Sequence, residues 1–598
     1  MFWKDIKNRL KLPKYEEIII ALKSLSKRDY FIFAISFIAL VITALIIIKK
    51  INNKFLIEIP AWGGGITEGV IGTPRFVNPL LQFSDIDKDL TSIVYSGLMR
   101  QKPDGNLVED LAKSYEISKD GLIYTFTLKD NLFFHDKEPL TVDDVIFTIE
   151  SAKDNLIKSP KKINWDGVTA EAIGSNKIKF TLKQSYTSFL ENTTLGILPA
   201  HLWKKIPPTQ WNLSDLNIEA VGSGPYKIDS IRKKSGIPQS YDLVSFRKLY
   251  DGKPFIKKII FKFYSNEEEL VKAFNKGDVD QINSISPQNA LKLQNNGYKI
   301  YTSTLPRIFG LFFNKNEAPI FTDKAIIKAF EKAIDKKRII NEVLYGYGQI
   351  IDSPLPPNLI EYDSLTSTEN KESISSKEEA AKILEDAGWK IGDDGVRIKE
   401  KLSSIKTKIS GKKTTNVQSK EITKLAFSIS TSDIPELKKT AELIKEDLEK
   451  IGAQVELKIF ETGSLNQNII RPRKYDVLFF GQIVNHEGDL FAFWHSSQRN
   501  DPGLNIAIYT NPKVDKILES ILSTLDRQEK AKKYLEFQEE IKKDTPVIFL
   551  YSPEFIYVSR KPVRGFIIGH LKGAQDRFLN IKNWYLKTDH IWKIFSKK

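Results

Sequence analysis

The stretch from Leu111 to Ile149, LAKSYEISKDGLIYTFTLKDNLFFHDKEPLTVDDVIFTI, decides how the chain is read. Its first half predicts an antiparallel hairpin. SYEIS and LIYTFTLK flank Lys119-Asp120-Gly121, and Asp-Gly between alternating segments is a turn signal. Leu122, Tyr124, Phe126 and Leu128 then share one face. The second half, FFHDKEPLTVDD (Phe133 to Asp144), gathers a histidine, a lysine and four carboxylates, and so raises the question of an enzyme or metal centre. Its spacing favours a corner in a scaffold. Phe133 ends a strand, Asp136-Lys137-Glu138-Pro139 makes a turn, and Thr141 is placed to cap the helix VDDVIFTIESA. Asp143 and Asp144 fall in the first turn, where free N–H groups and the helix dipole favour acids, and Thr141 with Asp144 has capping-box spacing. His135 has no second histidine at ligand spacing and no nucleophile beside it.

Composition narrows the classes. A chain of 598 residues exceeds one hydrophobic core, so two or three lobes are expected. With 41% apolar and 28% charged residues it is a folded protein with a solvated surface. The formal charge is +15, yet the lysines are interleaved with acids and form no basic arm, which argues against a nucleic-acid partner. Cysteine is absent, which excludes disulfides, thiolate metal sites, iron–sulfur clusters and a cysteine nucleophile.

FIFAISFIALVITALIII (Phe31 to Ile48) is an uncharged run interrupted only by Ser36 and Thr43. As a helix it would span about 27 Å, close to the ~30 Å hydrocarbon layer. Lys49, Lys50, Ile51, Asn52, Asn53 and Lys54 follow it, where a cleaved signal would have small residues, so the run is expected to be an uncleaved anchor. Lys11, Lys14, Lys23, Lys27 and Arg28 precede it, which favours a short cytoplasmic segment (1–30) and an extracytoplasmic remainder.

The remainder reads as mixed α/β. KLAFSIS (Lys424 to Ser430) alternates; Leu437, Ala441, Ile444, Leu448 and Ile451 recur at helical spacing; VELKIF (Val455 to Phe460) alternates again. Asp433 and Pro435 start that helix and Gly452 stops it. A second βαβ pattern runs from Ile259 through Asn266–Gly277 to Ile282. Each predicts neighbouring parallel strands with a right-handed crossover, hence two α/β lobes. Leu365 to Glu379 and Lys399 to Glu421 lack apolar periodicity and are expected to be irregular, the second as a mobile insertion at about 399–421.

In its entirety the Leu111–Ile149 stretch resembles the signature region of the family 5 extracytoplasmic solute-binding proteins, the dipeptide/oligopeptide-binding components of ABC importers. Further segments are similar in the same order: NPLLQFSDIDKDLTSIVYSGLMR, VGSGPYKI (Val221 to Ile228), AFNKGDVDQI, LFFNKNEAPIFTDKAIIKAFEKAIDKKRIINEVLYGYG, FAFWHSSQ and YLEFQEEIKKDTPVIFLYSP. Together they cover about Ile71 to Tyr585.

That resemblance implies a two-lobed, periplasmic-binding-protein-like (type II) fold with an extra β-rich subdomain, preceded here by one transmembrane helix. The implied boundaries are an anchor at 31–48, lobe I at 58–91, 219–306 and 546–598 (with the C-terminal tail), the β-rich subdomain at 92–218, and lobe II at 307–545. It implies a monomer without cofactor that closes on a peptide or other small solute and passes it to membrane permease subunits. In peptide-binding members an aspartate after a strand of the third domain pairs with the peptide ammonium. Here FFGQIVNHEGDLFAFWHSS (Phe479 to Ser497) is the matching loop, and Val484 or a near neighbour stands where that aspartate is expected. Glu487 or Asp489 could take its place. The ligand-binding candidates are Phe312, Asn314, Asn485, Glu487, Asp489 and Trp494.

No residues are expected to be catalytic or to hold a metal. His486, Glu487, Asp489 and His495 match no ligand spacing. There is no Gly-x-Ser-x-Gly, no His-Glu-x-x-His, and Gly411-Lys412-Lys413-Thr414 lacks the upstream glycine of a phosphate loop. The alternatives are a binder of a non-peptide solute (a sugar, a metal chelate or another small molecule) and a sensor or adhesion receptor on the same fold.

Overall fold

The computed structural model describes residues 15–185, 188–357, 375–409, 413–485, 487–524 and 526–595, with backbone alone for 402–409, 413–420, 487 and 527. It divides into two compact units, Met1–Trp62 with Lys587–Lys598, and Gly63–Leu586.

In the first unit, Ser26 accepts the Asp29 N–H and opens a 29-residue helix, Lys27–Phe55, none of whose residues is buried. Its length and apolarity suffice to cross a membrane. The chain leaves it as a strand, Leu56–Ala61, paired antiparallel with Lys587–Trp592 so that Leu56 faces Trp592 and Ala61 faces Lys587.

The second unit is organised on one twelve-stranded sheet. On one side lies the order Gln281–Asn283, Gly65–Ile71, Lys258–Tyr264, Ile237–Ser245, Tyr226–Lys234; on the other, Gln454–Phe460, Ala426–Ser432, Val477–Ile483, Arg307–Phe313. Between them runs Val547–Ser559, buried at eleven of its thirteen positions. Its first half pairs with Arg307–Phe313, and its second half with Gln281–Asn283 and Lys299–Thr304. Such a doubly covered strand needs the near-continuous apolar run it has, VIFLY followed by FIYV.

The βαβ pattern at 426–460 forms as expected, with Ala426–Ser432 parallel to Gln454–Phe460 over the helix Pro435–Glu449. The pattern at 258–283 departs from expectation. Its two strands are not neighbours, because Gly65–Ile71 inserts between them and pairs parallel with both. Gly69 makes room for this: a Cβ there would lie 2.6 Å from Leu270 of the crossover helix Glu267–Lys276.

The β-rich region is a four-stranded antiparallel sheet in the order Ala112–Ile117, Ile123–Leu128, Lys177–Leu182, Val168–Ile173. Tyr124, Phe126 and Leu128 point inward as expected, and Phe126 meets Phe180 edge-on at 5.8 Å. The stretch Lys399 to Glu421, expected to be irregular, instead has the backbone of a long hairpin, Arg397–Ile409 against Lys413–Lys424. Its sequence is polar and lacks apolar alternation, so it carries no strand signal. Of Leu365 to Glu379, residues 365–374 lie outside the described ones, and a helix begins at Lys377.

One charged group sits in the core of the Gly65–Ile71 side. Arg577, 0% exposed, donates to Asp89 Oδ1 at 2.7 Å and Oδ2 at 2.6 Å, and to Glu68 Oε1 at 3.0 Å. The Tyr557 hydroxyl donates to Glu68 Oε2 at 2.8 Å. Burial pushes both carboxyl groups up, and the guanidinium opposes that shift.

Candidate ligand-binding site

The FFHDKEPLTVDD corner is a scaffold element, and its histidine has a structural task. His135 is buried; its Nε2–H donates to the Gly224 carbonyl at 3.0 Å and its Nδ1 accepts the Gly222 N–H at 3.3 Å. The His135 N–H donates to the Gly222 carbonyl at 2.8 Å. The imidazole thus clamps the Val221–Tyr226 turn, which is pressed so tightly on the chain that a Cβ at Gly222 would lie 2.1 Å from the Val94 carbonyl oxygen. Desolvation lowers the His135 pKa to about 4, keeping it neutral. Asp144 reaches back to the Thr141 N–H at 2.8 Å and accepts the Ala200 N–H at 2.9 Å.

Strand direction marks the candidate cleft. In parallel α/β sheets ligands bind beyond the carboxyl ends of the strands. The strands Gly65–Ile71 and Gln281–Asn283 run antiparallel to Val547–Ser559, as Asn283 opposite Tyr557 requires, so their carboxyl ends face the middle of that strand. On the other side Val477–Ile483 is antiparallel to Arg307–Phe313 and carries its end, Ile483, to Arg307. Both sets of ends therefore converge on one level, where, among the described residues, two segments join the lobes: Leu305-Pro306 and Ser552-Pro553. These hold each other, with the Ser552 hydroxyl donating to Leu305 O at 2.9 Å and Leu305 N–H to Pro553 O at 3.2 Å.

The structure divides the six candidates. Phe312 is 0% exposed in the second-lobe core, and Asn314 gives its amide to Arg473 O at 2.7 Å and its carbonyl to the Asn316 N–H at 3.0 Å. Both lie at the far end of Arg307–Phe313, with Phe312 about 17 Å from Arg307 at ~3.4 Å per residue. Trp494 is packed edge-on against Tyr509 at 6.2 Å and Phe537 at 6.1 Å.

The other three stand at the cleft-facing end. Asn485 follows Val477–Ile483, and its N–H donates to Asp489 Oδ2 at 2.7 Å, so Asp489 holds the loop at the start of the helix Glu487–Trp494. The Asn485 Oδ1 is buried and has no hydrogen-bond partner among the described residues. Glu487 opens the helix; His486, weighed with it as a possible ligand, lies outside the described residues. Val484 is fully buried. Among the described residues no group of three or more His, Asp or Glu side chains could hold a metal ion.

Sequence reasoning missed part of this rim. Ile483 and Ile434 are large apolar side chains left exposed at the ends of Val477–Ile483 and Ala426–Ser432. Asp433, read as a helix start, is exposed, and the N-cap is Ile434. Arg307 is exposed directly opposite Ile483. The available signal was strand order: residues just past the carboxyl ends of parallel strands.

Comparison with known proteins agrees with this architecture. A profile of the bacterial extracellular solute-binding proteins, family 5 (Middle), matches residues 106–502. The chain belongs to that family. It is 26% identical over 534 residues to the oligopeptide-binding protein AppA of Bacillus subtilis, covering 88% of this chain and 92% of that protein. The solved structure of that AppA in complex with a nonapeptide superposes with a TM-score of 0.64 at 25% identity, covering 88% of this chain and 100% of the other. NikZ from Campylobacter jejuni in complex with Ni(L-His) superposes with a TM-score of 0.66 at 25% identity, covering 87% and 99%. The two-lobed fold of these solute-binding proteins is therefore that of this chain.

Proposed function

We propose that the chain is the membrane-tethered receptor of an ABC importer, which takes short peptides into the interlobe cleft as a monomer and presents them to a permease. The observation that carries this reading is the paired crossing at Leu305-Pro306 and Ser552-Pro553 beneath converging strand ends. Two strands are few enough to bend, so closure can bury an extended solute and change the outer surface a permease meets. The rim suits a peptide. Asn485 Oδ1 offers a desolvated acceptor to a backbone N–H, Arg307 and Asp433 offer charges to the termini, and Ile434 and Ile483 offer apolar contact. The oligopeptide-binding relative supports the ligand class. Lys27–Phe55 would hold the receptor beside its permease at high effective concentration, with the large unit outside the cell.

A second reading, a non-peptide solute, is favoured by Val484. A buried valine at the end of Val477–Ile483 cannot pair with an α-ammonium. Native mass spectrometry of the detergent-purified full chain, with identification of any mass released on denaturation, separates the readings. A distribution of short peptides supports the first, and a single non-peptide mass replaces it with the second. An empty protein that gains no thermal stability from a peptide mixture refutes the peptide reading.

A further inference from the structure

The C-terminal strand returns to the end of the apolar helix and carries a row of exposed apolar side chains with it. Trp592 lies opposite Leu56, the first residue after the helix, but its indole N–H reaches back to Asn52 Oδ1 at 2.8 Å and its ring stacks on Phe55 at 6.2 Å. Beyond it Lys593–Phe595 forms a 3-10 turn in which Ile594 is 74% and Phe595 72% exposed. Nothing in an aqueous surface accounts for Trp, Ile and Phe side by side at such exposure.

From these contacts we infer that the C-terminal turn Trp592–Phe595 is a second membrane contact, seated in the lipid interface beside the helix. The inference rests on reading Lys27–Phe55 as a membrane span. Depth supports it. The uncharged run ends at Ile48, so Asn52 rises about 6 Å beyond the hydrocarbon at ~1.5 Å per residue. That is within a headgroup layer of about 5–8 Å, the level that tryptophan favours. Because Lys587–Trp592 runs antiparallel to the strand leaving the helix, the chain after Trp592 heads back toward the bilayer. Trp592 is paired with Leu56, about 12 Å past Ile48, and three residues of 3-10 turn at ~2 Å each bring Phe595 down to about the level of Asn52. Interfacial segments at that depth bury their apolar side chains down into the headgroup/acyl boundary. Lys49, Lys50, Lys54 and Lys593 place positive charge at the same height, which suits anionic headgroups. The occupant of this patch is thus lipid.

The chain has no cysteine, so single-cysteine variants can each be labelled at one site. The full chain would be reconstituted into phosphatidylcholine–phosphatidylglycerol vesicles with an environment-sensitive fluorophore at Ile594→Cys, Ile42→Cys or Lys587→Cys. Lys587 lies at the other end of the strand, about 17 Å from Trp592 at ~3.4 Å per residue. The expected result is that the labels at 42 and 594 are quenched severalfold more by nitroxide lipids than the label at 587. The label at 594 should respond most to a nitroxide high on the acyl chain, and the label at 42 to a deep one. A label at 594 as open to aqueous iodide as that at 587, with 42 protected, overturns the proposal and leaves the span. A label at 42 open to iodide removes the span, and the proposal with it.

Discussion

His135 supplies a pH dependence that can be worked in advance. Its folded-state pKa is near 4 because burial disfavours the imidazolium, whereas in the unfolded chain it returns to about 6.5. Between those values the unfolded chain binds a proton that the folded chain refuses, so stability rises with pH across that window. The contribution is complete above pH 6.5 and is lost as pH falls toward 4; at about 1.4 kcal/mol per pH unit it amounts to about 3 kcal/mol. His135→Gln keeps a donor for the Gly224 carbonyl but does not titrate. Urea denaturation of the full chain in detergent, wild type against His135→Gln, isolates this group, since every carboxylate titrates in both proteins. The variant should be the weaker at pH 7.5, and the difference should shrink by about 3 kcal/mol by pH 4.5. Parallel pH profiles for the two proteins would refute the assignment of a neutral, clamped imidazole.

Other consequences are as direct. Gly222→Ala drives a methyl group to 2.1 Å from the Val94 carbonyl and should cost about 3 kcal/mol or more, seen as a collapse in soluble yield and melting temperature. Gly174→Ala, whose Cβ would meet nothing within 4 Å, should cost only about 1 kcal/mol of strain at its φ of 67°. Arg577→Met leaves Glu68 and Asp89 buried without their cation and should cost about 3–5 kcal/mol in denaturant titrations; adding Glu68→Gln and Asp89→Asn should recover part of it. Phe312→Ala should lower stability by about 3–5 kcal/mol while leaving ligand affinity in calorimetry intact. Asn485→Ala should do the reverse, weakening ligand binding by about 1 kcal/mol, roughly fivefold in Kd, with little change in melting temperature.

What the sequence made legible was governed by local chemistry. The Asp-Gly turn, the alternation at Tyr124, Phe126 and Leu128, and the helical spacing from Leu437 to Ile451 each act within one element, and each formed as read. Gly65–Ile71 could not be placed between Lys258–Tyr264 and Gln281–Asn283 because nothing local marks a strand that pairs across nearly two hundred residues. The room for it is made by a missing side chain at Gly69. The candidate site divides in the same way. Motif resemblance led to the Asn485–Asp489 loop, just past Ile483, whereas Phe312 and Asn314 lie at the opposite end of Arg307–Phe313 from the lobe crossing, and sequence does not say which end of a strand that is. Ile483 and Asp433 became visible only once strand direction was known.

The Arg577 cluster bears on how the protein is made. Glu68 and Asp89 precede their guanidinium partner by 509 and 488 residues, so most of both lobes is synthesised before their charge is balanced. Val563, Phe578, Ile581 and Trp584 of the same hydrophobic core also emerge long after Glu68 and Asp89. A truncated copy therefore carries two acids facing an interior it cannot close, and it stays open to proteases. Placing the counter-charge hundreds of residues after the acids makes closure of the first-built lobe a test of whether synthesis has passed Arg577.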